Sequence, residues 1–414
     1  MAKIKAFKAI RPTRDKAPLV ASRSYLSYSE NTLREKLLNN PYTFLHIINP
    51  ESSSNSPLLE GVEKFKMIKN TYKSFCEQGV FLTETNPCLY IYQQVKEGTS
   101  YTGIIAASSV DDYLDGRIKI HEQTISKREE MFSNYLEHTG FNAEPVLLSY
   151  SKVPRVNDLL ALYMKERSEY EFTSTNRVLH KLWLIEKESD IKELQDIFDT
   201  IDSVYIADGH HRSASSALYC KKRRAASEKT DGTEAHNYFM SFLIDDEQLS
   251  ICDFNRLITD LNGLSIENYL ASIAKVYVVD KQEGLYKPKR KDEISMYLNK
   301  TWYSLVARKH TFDASDCVEN LDPAILSKNI LNPIHGIADI RNDKRIEFLD
   351  GKQGLKGLEL AVDSGKYSVA FALKPITFEQ LKQVADQNQI MPPKSTYIEP
   401  KLRSGLTIYQ LSDD

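Results

Sequence analysis

The stretch 203–224, SVYIADGHHRSASSALYCKKRR, decides how the fold is read. Val204-Tyr205-Ile206-Ala207 is a run of β-branched, aromatic and small apolar residues and predicts a short buried strand. Ser213 to Arg224 is Ala-rich, carries Leu218 and Tyr219, and closes on a basic turn, which predicts a helix. Asp208, Gly209, His210, His211 and Arg212 stand between them. The stretch therefore reads as strand, tight turn and helix, with a polar cluster at the junction.

The same alternation continues on both sides. YTFLHII (42–48), CLYIYQQV, YTGIIAAS, PVLLSYS, KLWLIE, YFMSFLI, VYVVD, WYSLVARK and YSVAFALK read as strands, being rich in Tyr, Val and Ile. Amphipathic helices are expected around 57–78, 121–139, 154–168, 212–227 and 377–389. The pattern predicts a mixed α/β (α+β) protein. ESSSNSP (51–57) and ASEKTDGTEAHN (226–237) read as polar loops, and repeats are absent. Breaks between clusters of strands place domain boundaries near 110 and 260, giving portions 1–110, 111–260 and 261–414.

The chain has 414 residues, 41% hydrophobic and 27% charged, with a net charge of −3. This length suits two or three domains with substantial cores. The near-neutral balance argues against a nucleic-acid binder that relies on a broad basic face. No apolar run approaches the roughly 20 residues of a membrane helix, and the opening residues lack a signal-peptide pattern. Cys76, Cys88, Cys220, Cys252 and Cys317 are scattered and odd in number, which fits a reducing cytoplasm better than disulfides or structural zinc. Nothing in the sequence fixes an oligomeric state.

Two readings of the turn stand side by side. In the plain one, Asp208 caps the helix, Gly209 makes the turn, and the other residues are ordinary surface groups. In the other, the junction holds a nucleotide. A helix N-terminus carries unpaired N–H groups and about half a positive charge, so it attracts phosphate. Gly209 lets a phosphate approach the backbone, Arg212 can fork onto its oxygens, and His210 and His211 can donate to it. Asp208 has the charge to hold a bridging Mg²⁺. The cap accounts for two residues of the cluster; the nucleotide–magnesium site accounts for all of them.

Other devices are excluded by spacing. No Gly-x-x-x-x-Gly-Lys-[Ser/Thr] occurs, so MPPKST (391–396) is not a P-loop. GKQGLKG (351–357) has the wrong glycine spacing for a dinucleotide fingerprint and reads as a turn before a helix. HEQTI (121–125) has Ile125 where a zincin needs its second histidine. No Gly-x-Ser-x-Gly elbow is present.

Two further clusters carry chemistry. In IKIHEQTISKREEMF (118–132), His121 and Glu122 fall just before or at the start of a helix whose apolar face is read as Ile125, Phe132, Tyr135 and Leu136. A surface Glu in a first helical turn is the plain alternative. In MPPKSTYIEPKLRSGL (391–406), Lys394, Ser395, Thr396, Lys401 and Arg403 supply donors on a Pro-fixed loop, with a solvated basic loop as the alternative.

VYIADGHHRSASSAL, IKIHEQT and MPPKSTYIEPKLRSGL, with NPYTFLHIINPE (40–51) and HGIADIRND (335–343), resemble a bacterial family catalogued as domain of unknown function 1015. That family is similar in turn to the archaeal ADP-dependent free L-serine kinase, with a ParB/sulfiredoxin-like nucleotide-binding fold. The resemblance covers nearly the whole chain and implies such a core at 111–260, with an insertion near 151–200 and α/β portions on either side. It implies Glu122 as the base that deprotonates the serine hydroxyl. His121, Gly209, His210, His211 and Arg212 would hold nucleotide phosphates, and Asp208 would hold Mg²⁺. Lys394, Ser395 and Thr396 would lie near the amino-acid acceptor. ADP or ATP would be the donor and L-serine the acceptor. The N-terminal block and the longer connection from Glu122 to Asp208 depart from the kinase and bear on the acceptor most. Sulfiredoxin-like redox chemistry needs a cysteine that the turn lacks. The rival reading from another class is a ParB-like nucleotide-binding switch without transfer, which needs the turn but not Glu122.

Overall fold

The computed structural model describes residues 2–50, 60–226 and 231–411. The expected loop 51–57, the start of the expected helix 57–78, and residues 227–230, which end the expected helix 212–227 and fall in the second polar loop, lie outside the described residues. The chain forms two compact units, Met1–Leu249 with Pro400–Asp414, and Ser250–Glu399. This differs from the expected division into three portions. The strand Thr99–Ser109 ends at the expected boundary, yet it is hydrogen-bonded between Leu89–Lys96 and Tyr238–Asp245. One sheet thus joins what the sequence reading separated. The return of the chain to the first unit at Pro400 is a non-local event with no compositional mark.

The first unit is built on a nine-stranded mixed sheet. Its order is Ile118–Lys119, Val204–Asp208, Val146–Tyr150, Tyr238–Asp245, Thr99–Ser109, Leu89–Lys96, Leu179–Ile185 and Tyr170–Thr173, with Ile4–Lys5 paired to Thr99–Ser109. Successive side chains in a strand point to opposite faces. Accordingly Leu89, Ile91, Val146, Leu148, Val204 and Ile206 join one buried cluster. Leu159 and Leu160 from the helix Pro154–Tyr163 and Leu194 and Phe198 from the helix Glu188–Phe198 complete it. Tyr92 contacts both His180 and Phe242.

The second unit holds a six-stranded antiparallel sheet in the order Tyr277–Gln282, Thr301–Ala307, Glu293–Leu298, Val369–Ala372, Phe254–Ile258 and Ile346–Asp350. Two buried clusters lie against it. Tyr269 and Ile273 of the helix Ile266–Ala274 enter one, and Leu358 and Val362 of the helix Gly354–Asp363 enter the other.

Two local expectations are corrected. Residues 42–48 do not form a strand, because Leu45–Ile48 is a helical turn that buries Leu45 and Ile47. A short apolar run has no period that separates a strand from a buried helical turn. The helix expected from 121 begins only at Ser126 and runs to Thr139. Ile125 and Phe132, expected on its buried face, are 41% and 36% exposed, whereas Ser133, Leu136 and Thr139 are buried. Among the described residues no helix is long and apolar enough to cross a membrane.

Candidate functional site

The strand Val204–Asp208 pairs in parallel with Ile118–Lys119, Val204 opposite Ile118 and Tyr205 opposite Lys119. Parallel strands leave a sheet at the same edge. The residues after Lys119, His121 and Glu122, therefore emerge beside the residues after Asp208. On its other side the strand is antiparallel to Val146–Tyr150, with a register shift between Ile206 and Asp208. A bulge of this kind re-aims the side chain that follows it, here Asp208.

Gly209 then takes φ 104° and the helix His210–Ala226 begins. A Cβ at this position would lie 2.8 Å from Arg212 Nε. The glycine is thus required twice, for a positive φ and for the space that the guanidinium fills. Gly209→Ala is expected to lower unfolding stability by on the order of 1–3 kcal/mol, the cost of a strained backbone residue. Urea unfolding of the variant checks this, and an unchanged midpoint contradicts it.

The Asp208 carboxylate is held by two cations. Arg212 Nη2 donates to Oδ2 at 2.7 Å and Lys401 Nζ to Oδ1 at 2.7 Å. Arg212 Nη1 also donates to Glu144 Oε1, and Ser404 Oγ bonds Glu144 Oε2 at 3.1 Å. Asp208 is therefore an anchor for side chains. Burial alone would push its pKa up, but Lys401 and Arg212 outweigh burial and hold it down at about 2. Asp208, Glu144 and Arg212 keep between 25% and 36% of their side-chain surface exposed, so a ligand can reach them.

This arrangement does not fit magnesium on Asp208. Both carboxylate oxygens already face a cation at hydrogen-bond range, and a divalent ion there would meet two further positive charges. Among the described residues no group of three or more His, Cys, Asp or Glu is placed to hold a metal. The partners that Asp208 has here are Lys401 and Arg212, which it fixes in place. Nucleotide affinity is expected to depend on magnesium equally in the wild type and in Asp208→Asn. Calorimetric titration with and without the ion tests this, and loss of the dependence in the variant would restore Asp208 as a ligand.

The histidine pair sits beside this network. The rings of His121 and His210 meet edge to face with centroids 4.5 Å apart. The backbone N–H of His121 donates to His210 Nε2 at 3.4 Å. With Nε2 as acceptor, a neutral His210 carries its proton on Nδ1, which faces Glu122 Oε2 at 3.6 Å. His121 is 1% exposed, and both of its ring nitrogens lack a hydrogen-bond partner among the described residues.

Burial lowers both imidazoles, His121 to about 3, with His210 as a lesser contributor, and His210 to about 4. Both are neutral at pH 7. A base whose folded pKa lies below its unfolded value near 6.5 binds its proton first in the unfolded chain. Its stability contribution is complete above about pH 6.5 and is lost as the pH falls toward 4. The melting temperature is expected to drop across that window, and to drop less in His210→Gln. Scanning calorimetry from pH 7.5 to 4.5 measures it; a flat profile contradicts neutral burial.

Of the residues singled out in the sequence, Glu122, His121, Asp208, Gly209, His210 and Arg212 come together in the first unit, with His211 next to them on the helix. Lys394, Ser395 and Thr396 belong to the second unit. There Lys394 Nζ lies 5.4 Å over the ring of Phe254, and Ser395 Oγ donates to the Pro392 carbonyl. Glu144 was not anticipated at all, and Lys401 only as one donor of a loop. Glu144 stands two residues ahead of the strand Val146–Tyr150, next to the strand that carries Asp208, and that adjacency is the one signal that could have found it.

A mixed α/β unit with a strand–glycine–helix turn and a carboxylate beside it defines the class. The chain belongs to the family described as protein of unknown function, DUF1015, whose profile matches residues 4–324. A search of curated proteins found no match. Among solved structures, a mutant free serine kinase in complex with ADP aligns at 14% identity and TM-score 0.37, covering 75% of this chain and 92% of that one. A conserved hypothetical protein from Pyrococcus furiosus gives 14% identity, TM-score 0.37 and coverage of 75% and 95%. C-terminally truncated SbnI from Staphylococcus aureus gives 13%, 0.37, 75% and 90%. Similarity at this level carries no information on activity.

Proposed function

We propose that the turn Asp208–Arg212 binds the phosphates of ADP or ATP and that the protein transfers the terminal phosphoryl group to a small hydroxyl-bearing acceptor, L-serine in the first instance. The observation that carries the reading is the meeting of two sequence-distant motifs, with Glu122 Oε2 3.6 Å from Nδ1 of the helix's first residue, His210. A phosphate turn alone would serve binding; a carboxylate held at its mouth supplies a base.

The chain's residues divide the work as follows. The N–H groups at the start of the helix His210–Ala226 and the charges of Arg212 and Lys401 meet the phosphate oxygens. His210, neutral and protonated on Nδ1, orients Glu122. Glu122, 41% exposed, accepts the proton of the acceptor hydroxyl while that oxygen bonds to the terminal phosphorus. The bond from phosphorus to the bridging oxygen of the nucleotide breaks, and AMP leaves when ADP is the donor, or ADP when ATP is. Phosphoryl transfer asks a protein chiefly for positioning and charge neutralisation, which this set provides. The test is incubation of the purified protein with ADP or ATP, magnesium and a panel of amino acids, with mass spectrometry of the products. A phosphorylated hydroxy amino acid supports the proposal; its absence from every combination overturns it.

A further inference from the structure

We infer that Arg403 forms an anion subsite for the carboxylate of the acceptor. This deepens the proposed function and rests on it for the identity of the ligand. Arg403 is 6% exposed, and among the described residues its guanidinium makes hydrogen bonds only to neutral groups, Nη2 to Ser174 Oγ at 3.0 Å and to Asn176 Oδ1 at 2.6 Å. Its Nε–H is buried without a partner, and among the described residues no carboxylate pairs with it. A guanidinium removed from water without a counter-charge is costly, which makes such a group a strong receiver of an anion.

A second, independent observation points the same way. Ser22 and Ser404 form an antiparallel bridge, with Ser22 N–H to Ser404 O at 3.2 Å and Ser404 N–H to Ser22 O at 2.8 Å. In antiparallel pairing the residue after one partner faces the residue before the other, so Arg23 is the cross-strand neighbour of Arg403. Like charges in that relation repel. The Arg23 side chain forms no ion pair among the described residues, and its charge acts on Arg403. The two arginines thus face each other with no carboxylate paired to either among the described residues. A planar carboxylate matches the guanidinium fork.

The segment also ties the subsite to the phosphate turn. Lys401, two residues earlier, holds Asp208, and Ser404, one residue later, holds Glu144.

The experiment compares L-serine with L-serinamide, and acetate with neutral acetamide, by calorimetry on wild type, Arg403→Met and Arg403→Lys, with ADP titrated into each. The wild type is expected to bind L-serine at least tenfold more tightly than L-serinamide, and acetate more tightly than acetamide. Arg403→Met should abolish both preferences and Arg403→Lys restore part of them, with ADP affinity within twofold throughout. Equal affinity of the wild type for L-serine and L-serinamide, or no binding of L-serine or acetate, overturns the inference. The wild-type comparison stands even where a variant does not fold. Failure of ADP to bind while the carboxylate preference persists would sink the phosphate turn alone.

Discussion

Replacing Glu122 by Gln is expected to lower turnover by roughly 10²–10⁴-fold, the usual worth of a positioned base, while nucleotide affinity stays close to that of the wild type. A serine hydroxyl is a poor nucleophile, and the amide that replaces the carboxylate cannot take its proton. The substitution keeps size and shape, and among the described residues Glu122 makes no ion pair beyond its 3.6 Å approach to His210. Because His210 is neutral, that contact is worth little to stability. Steady-state kinetics and calorimetry on the same preparation separate the two effects. Unchanged turnover would remove Glu122 from the chemistry. Bound nucleotide with no turnover in the wild type would favour a switch over an enzyme.

The second large effect is expected at Arg212. Arg212→Ala removes the cation that joins Asp208 to Glu144 and leaves two carboxylates facing the phosphate position. A charge-assisted, two-toothed partner is worth about 1.5–3 kcal/mol, so ADP or ATP affinity should fall roughly tenfold to more than a hundredfold. Asp208 keeps Lys401 and Glu144 keeps Ser404, but the negative charge of Glu144 is then unbalanced and adds to that loss. Both carboxylates are about a third exposed and can be hydrated, so thermal stability should change less than affinity. Calorimetric titration is the measurement. Wild-type affinity in the variant would mean that the turn does not receive the phosphates.

What the sequence could and could not show follows from the range of each interaction. The strand Val204–Asp208 and the helix after it were legible because strand composition, the glycine and the Ala-rich run act locally. Mixed α/β architecture was legible for the same reason, and most expected strands appear within one or two residues of their place. The meeting of Glu122 with the turn was not, since it depends on a parallel pairing of residues more than eighty positions apart. No local period records such a pairing. Glu144 and Lys401 escaped because a single charged residue has no pattern, and only the fold decides which opposite charge it meets. Asp208 invited a metal by its chemical type, and the structure gave its two oxygens to Lys401 and Arg212 instead.

The central claim is that one site both binds the nucleotide and hands its phosphoryl group to a hydroxyl. Phosphorus NMR of the protein at stoichiometric concentration with ADP or ATP, magnesium and L-serine addresses it most directly. The account predicts the growth of a phosphomonoester resonance matching O-phosphoserine, in step with the appearance of AMP or ADP, and its absence with Glu122→Gln. Nucleotide resonances that shift on binding and then persist, with no phosphomonoester in the wild type, would contradict it.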